Sequence, residues 1–235
     1  LKMPSNKKLL QAAAGSAGGD KLYVEDVFST YLYTGNGTSQ TITNGIDLDG
    51  EGGLVWVKDR DGTGYHVLMD TERGIAKQVY SNLTNAENSN SDGPTSFNSD
   101  GFSLGAWSFV NSNTVDFASW TFRKAEKFFD VVTYTGNGAS GREIAHSLNG
   151  TVGSVMIKVT STTSNWFVWH RSLNQNGLLS LNLTNAVSAD GVITASSDTT
   201  VTLENWLNSN GKEYVMYLFA SDAGGFGADG SESVV

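Results

Sequence analysis

Cysteine is absent from this chain of 235 residues, and proline occurs only twice. The first absence removes disulfides, thiolate metal sites and cysteine nucleophiles together. Cations are also scarce: 15 Lys and Arg stand against 24 Asp and Glu, a formal charge of −9. Such a balance opposes a phosphate backbone, so nucleic acid is not an expected partner. Near the N-terminus the apolar stretch Leu9 to Ala14 is interrupted by Gln11, too short for a signal-peptide core or a membrane span, so no membrane insertion is expected. Catalytic signatures are missing as well. There is no HExxH, GxSxG, P-loop or GxGxxG sequence in a strand–helix context, and nothing marks a nucleophile.

What the chain does contain is 39% hydrophobic residues and 27 glycines, with Asn, Ser and Thr crowded between short apolar runs. That composition predicts an all-β protein of short strands joined by tight turns. Val55 and Val57, like Val155 and Ile157, alternate with Trp56 and Met156 as strands buried on two sides. Phe117, Ser119 and Thr121 against Trp120 and Phe122 show the period of two that a sheet requires. Asp-Gly and Asn-Gly pairs, such as 61–62, 100–101, 149–150 and 210–211, supply the positive-φ residues of tight turns.

The chain also repeats itself. The pentapeptide YTGNG begins at Tyr33 and again at Tyr134, 101 residues later. Leu54 to Lys58 is echoed by Ser154 to Lys158, and Asn82 to Ala86 by Asn182 to Ala186, both at an offset of 100, in the same order. Tyr65 to Asp70 matches Trp166 to Arg171, and Asp116 to Phe122 matches Glu213 to Phe219. The expectation is two tandem β-sandwich repeats of about 100 residues, jelly-roll or concanavalin A-like, over 26–125 and 126–235. YTGNG is then a strand end followed by a turn. Residues 1–25 form an N-terminal arm with a basic head, a Leu/Ala run and a Gly-rich stretch; Leu9, Leu10, Ala12 and Ala13 are its candidate docking face. The terminal Ser231 to Val235 stands where a third unit's first strand would begin, which predicts that the protein continues into further repeats.

Among candidate sites, Asp47, Asp49 and Glu51 are spaced so that alternate carboxylates could share calcium, although the later ligands of an EF-hand are missing and a solvated acidic turn is the alternative. No other cofactor is expected. Asp70, Glu72, Glu143, Glu204 and Glu213 could be nominated as a glycosidase pair, but no sequence context distinguishes them. Aromatics point to binding more directly. Trp107 and Trp206 stand near loops rich in Asn and Ser, and with Asn111, Asn113, Asn208 and Asn210 they form the candidate set for a sugar: flat faces for the ring and amides for the hydroxyls. Core packing is the alternative role for each. His66 and His170 fall in alternating strand patterns and read as structural.

The segments Leu54 to Arg60, Tyr65 to Gly74, Tyr80 to Ala86 and Ser96 to Gly105 resemble the repeat module of tail and fibre-like structural proteins of marine bacteriophages. Trp120 to Lys124, Lys127 to Gly138, Trp166 to Leu173 and Leu218 to Gly227 are similar to the same proteins, so the resemblance covers roughly residues 25–235. It implies a non-enzymatic virion protein with lectin-like or laminin-G-like β-sandwich modules, made in the host cytoplasm without a signal peptide and acting outside the cell. Its implied partners are other virion proteins reached through the N-terminal arm, further copies of itself, and a host-surface glycan. A free-standing carbohydrate-binding module or a polysaccharide depolymerase are the alternatives.

Overall fold

The computed structural model describes residues 21–173, 177–191, 193–221 and 223–233. The proposed docking residues Leu9, Leu10, Ala12 and Ala13 lie outside them. The fold is all-β. Two one-turn helices, Val24–Val27 and Ser108–Asn111, and a 3₁₀ turn, Asn205–Leu207, are the only helical elements among the described residues. None is long and apolar enough to cross a membrane.

The first half supplies β1 (Phe28–Thr34), β2 (Gln40–Thr43), β3 (Gly53–Asp59), β4 (His66–Asp70), β5 (Lys77–Tyr80), β6 (Asn88–Ser89), β7 (Pro94–Asn98), β8 (Gly101–Leu104) and β9 (Asp116–Arg123). They form a six-stranded sheet, β1-β9-β3-β4-β5-β6, and a three-stranded sheet, β2-β8-β7. The second half supplies β10 (Phe129–Thr135), β11 (Arg142–Ala145), β12 (Val152–Val159), β13 (Trp166–His170), β14 (Ile193–Ser196), β15 (Thr200–Leu203) and β16 (Glu213–Ala220). These form the sheets β10-β16-β12-β13 and β11-β15-β14. All pairings are antiparallel, and they correspond between halves: β1 pairs β9 as β10 pairs β16, and β3 pairs β4 as β12 pairs β13. Bridges Val168 to Leu179 and Leu178 to Ser188 reproduce the Leu68 to Val79 and Gln78 to Asn88 pairs of the first half, each 100 residues on.

Three apolar layers hold these sheets. Val55, Val57, Val67 and Met69 of the six-stranded sheet meet Ile42, Phe102 and Leu104 of its three-stranded neighbour. Val155, Ile157, Met216 and Leu218 meet Ile144, Val201 and Leu203 in the second half. The third layer joins the halves: Leu54, Leu68 and Val79 on the outward face of one large sheet pack against Val131, Met156, Trp166, Val215 and Tyr217 on the other. The period of two makes this possible, because Leu54 and Val55 point to opposite faces of one strand. Both are fully buried, since the strand has a sheet on each side.

Polar contacts cross the same seam. Trp166 Nε1 donates to the Tyr80 carbonyl at 2.7 Å, Ser164 N to Thr84 O at 2.9 Å and Glu87 N to Thr160 O at 2.8 Å. Asp70 and Arg73, both almost wholly buried, form an ion pair at 2.6 Å. The Tyr217 hydroxyl donates to Asp70 at 2.7 Å from the opposite half. Burial works against the Arg73 cation, but Asp70 outweighs it with help from Tyr217 and Glu87, and the guanidinium's pKa is raised above its ordinary value.

Candidate functional site

The two copies of YTGNG close corresponding locks. Tyr33 Oη donates to Val110 O at 2.6 Å, and Tyr134 Oη to Leu207 O at 2.9 Å. A β-carbon on Gly35 would run into the Ser112 carbonyl, and one on Gly136 into that of Ser209, so only glycine allows the approach. Asn36 N donates to Asn111 Oδ1 at 2.9 Å, and Asn137 N to Asn208 Oδ1 at 3.0 Å. The amide nitrogens are spent in the same way. Asn111 Nδ2 donates to Asn36 Oδ1, Thr38 O and Gly105 O; Asn208 Nδ2 donates to Asn137 Oδ1 and Ala139 O. Gly37 and Gly138 then turn the chain at φ of 69° and 76°.

This geometry corrects part of the candidate sugar site. Asn111 and Asn208 are fully buried and their amides are committed to the backbone, so neither faces a ligand. Asn113 and Asn210 are exposed, standing beside Gly37 and Gly138 on the outside of each lock. Trp107 is partly buried against the first core and meets the Phe109 ring edge-on at 5.2 Å. Neither Trp107 nor any of these four asparagines lines the groove that Trp206 borders.

The acidic candidates are dispersed too. Asp47 accepts a hydrogen bond from Gly50 N at 2.8 Å and closes its own turn, while Asp49 and Glu51 face solvent. Among the described residues no group of three or more acidic or histidine side chains is gathered to hold a metal ion. Asp70 belongs to the buried seam, and Glu72 pairs with Lys124 at 2.7 Å. His170 ends β13, with Nδ1 accepting from Ser172 N at 3.1 Å. Burial lowers the pKa of His66, with Lys58 adding to the effect, and holds down that of His146 although Asp130 pulls the other way.

Trp206 does line an open groove of about 500 Å³ in the second half, within the ~300–1,000 Å³ typical of small-ligand sites. Phe167 of β13 forms part of its floor and meets the Trp206 ring edge-on at 5.0 Å. Leu178 and Ser180 bring in the segment bridged to β13, and the loop from Leu183 to Asp190 forms a wall. Leu183 is 42% exposed there, although Leu83, its counterpart in the first half, packs against the core. Asn165, Ser180, Asn185, Ser188 and Asp190 supply polar groups, and Asp190 is the single carboxylate among the lining residues.

Trp206 was legible in the sequence as a binding candidate, but the rest of the groove was not. The strand register supplies the signal: Lys58 pairs with His66 as Lys158 pairs with Trp166, which moves the match of Tyr65 from Trp166 to Asn165, so Asn165 and Ser180 stand in place of Tyr65 and Tyr80. Counted back from the buried Asn111 and Asn208, Trp206 stands where the first half has Phe109, not Trp107. In that half Tyr65 lies 4.5 Å from Phe109 and 5.0 Å from Tyr80, ring centre to ring centre, so aromatic side chains occupy the place that is open beside Trp206.

The family model described as Domain of unknown function (DUF7483) matches residues 24–233, so one match spans both halves. No curated protein and no solved structure matches the chain.

Proposed function

The chain belongs to the family described as Domain of unknown function (DUF7483), a description that assigns no role; from the groove beside Trp206 and the resemblance carried by residues 25–235 we propose that it is a non-catalytic structural component of a phage virion, at the tail or a fibre. Two β-sandwich repeats, packed back to back, form a stiff body that holds a ligand groove toward the host surface. The observation that carries the adhesive part is the groove itself: an aromatic floor with a polar rim, anchored on β13 at Phe167 and walled by the loop from Leu183 to Asp190. A retaining or inverting glycosidase works with a pair of carboxyl groups, and one carboxylate lines this groove, which supports a binding role over a depolymerase.

Placement on the virion is supported by the resemblance of residues 25–235 to marine phage tail and fibre-like modules. In this reading the N-terminal arm docks on other virion proteins. Copies of the chain around a symmetry axis give avidity to a weak single site. Cryo-electron microscopy of the parent phage particle tests it. The expected result is both sandwiches on the outer surface of the tail with the groove accessible; absence of the chain from particles overturns the placement.

A further inference from the structure

We propose that the groove beside Trp206 is a subsite for one pyranose ring of a surface glycan, and that the first half carries the same subsite closed by the chain's own Tyr65 and Tyr80. The inference rests on reading the groove as a ligand site and adds the chemical class of its occupant.

The two halves place equivalent residues around equivalent space, because the pairs Leu68 to Val79 and Gln78 to Asn88 recur as Val168 to Leu179 and Leu178 to Ser188. In the first half the space is taken by flat six-membered rings bearing hydroxyls. Tyr65 packs on Phe109, Tyr80 packs on Tyr65, and the Tyr80 hydroxyl accepts from Asn88 Nδ2 at 3.2 Å. In the second half, short side chains stand in place of both tyrosines, and Trp206 offers a larger face than Phe109. Ser188 replaces Asn88 as the polar group beside the ring. A tyrosine side chain has one hydroxyl to satisfy, whereas this groove is rimmed by Asn165, Ser180, Asn185, Ser188 and Asp190 around an aromatic floor of Trp206 and Phe167. Many hydroxyls on one flat ring with an apolar C–H face is the chemistry of a pyranose, which stacks by that face and hydrogen-bonds around its edge.

Calorimetry and saturation-transfer NMR on the full chain, with methyl glycosides of glucose, galactose, mannose and N-acetylglucosamine, test the proposal. At least one should bind at one site per chain with a Kd near ~1 mM. Trp206→Ala should weaken it by about tenfold or more, the ~1.4 kcal/mol of one lost stacking face. Asn165→Tyr with Ser180→Tyr should close the site. Tyr65→Asn with Tyr80→Ser should raise the stoichiometry to two. The closing variant adds rings at an open surface and leaves the core intact, so it decides the matter even if the opening variant fails to fold. Binding of N-acetyltyrosinamide in place of the sugars, or saturable sugar binding that Trp206→Ala leaves unchanged, overturns the proposal, as does binding of neither probe. Loss of attachment to host cells in Trp206→Ala without sugar binding would remove the pyranose and leave the adhesive reading standing. Sugar binding by a chain absent from particles would do the reverse.

Discussion

Asn208 and Asn111 were expected to face a ligand, yet both are interior fasteners. Truncating either to alanine leaves backbone donors and acceptors of the YTGNG turn unpaired in a buried place. Asn208→Ala and Asn111→Ala should each cost about 2–4 kcal/mol in urea unfolding. Asn210→Ala and Asn113→Ala, at exposed positions on the same turns, should stay within ~0.5 kcal/mol. Equal effects at buried and exposed positions would refute the lock. The sequence shows an asparagine near a turn in each case. What separates Asn208 from Asn210 is the approach of the distant strand end at Tyr134 to Asn137, which composition and spacing do not display.

At the scale of an element, β12 carries the least expected feature. Lys158 is fully buried at the seam, its Nζ donating to Val159 O at 2.9 Å and to Thr84 O of the other half at 3.3 Å. Burial lowers its pKa to about 8. The folded pKa lies below the ordinary lysine value, so between about pH 8 and ~10.5 the unfolded chain holds a proton that the folded chain has shed. Stability should therefore rise across that window, by up to about 3 kcal/mol, and the buried cation costs stability below it. Above about pH 10 the buried phenols of Tyr33, Tyr134 and Tyr217, all raised by desolvation, oppose the rise because only the unfolded chain ionises them. Urea midpoints at pH 7, 8, 9 and 10 should climb in the wild type and stay flat over that range in Lys158→Met. A parallel climb in the variant would assign the effect to other groups. The strand itself was legible from Val155, Met156 and Ile157. The burial of its lysine was not, because the first-half copy, Lys58, reaches the carbonyls of Asp59 and Gly62 and remains only partly buried.

For the whole molecule, the shared apolar layer and the Asp70–Arg73–Tyr217 cluster predict that the halves unfold together. Calorimetry should show one transition, with the calorimetric and van't Hoff enthalpies in agreement. Two separated transitions would mean that the seam contributes little. Arg73→Met would leave Asp70 buried beside Glu87 without its cation and should cost about 3–5 kcal/mol, whereas Tyr217→Phe removes one neutral donor and should cost about 1–2 kcal/mol. If Arg73→Met were as mild as Tyr217→Phe, the ion pair would be peripheral to the seam. Asp70 looked like one of several unremarkable acids in the sequence, because its partner Tyr217 lies 147 residues away.

Local and periodic features were legible along the chain. Alternating apolar residues specified strands, Asn-Gly and Asp-Gly pairs specified turns, and the offset near a hundred residues predicted that the two halves would share a strand plan. The tertiary structure alone decided which face of each strand meets which sheet, and so which polar side chains are interior. It also decided that Trp206 stays partly open while Tyr65 and Tyr80 fill the matching space. Alternation tells which side of a strand a residue takes, but burial is set by what arrives on that side from distant parts of the chain.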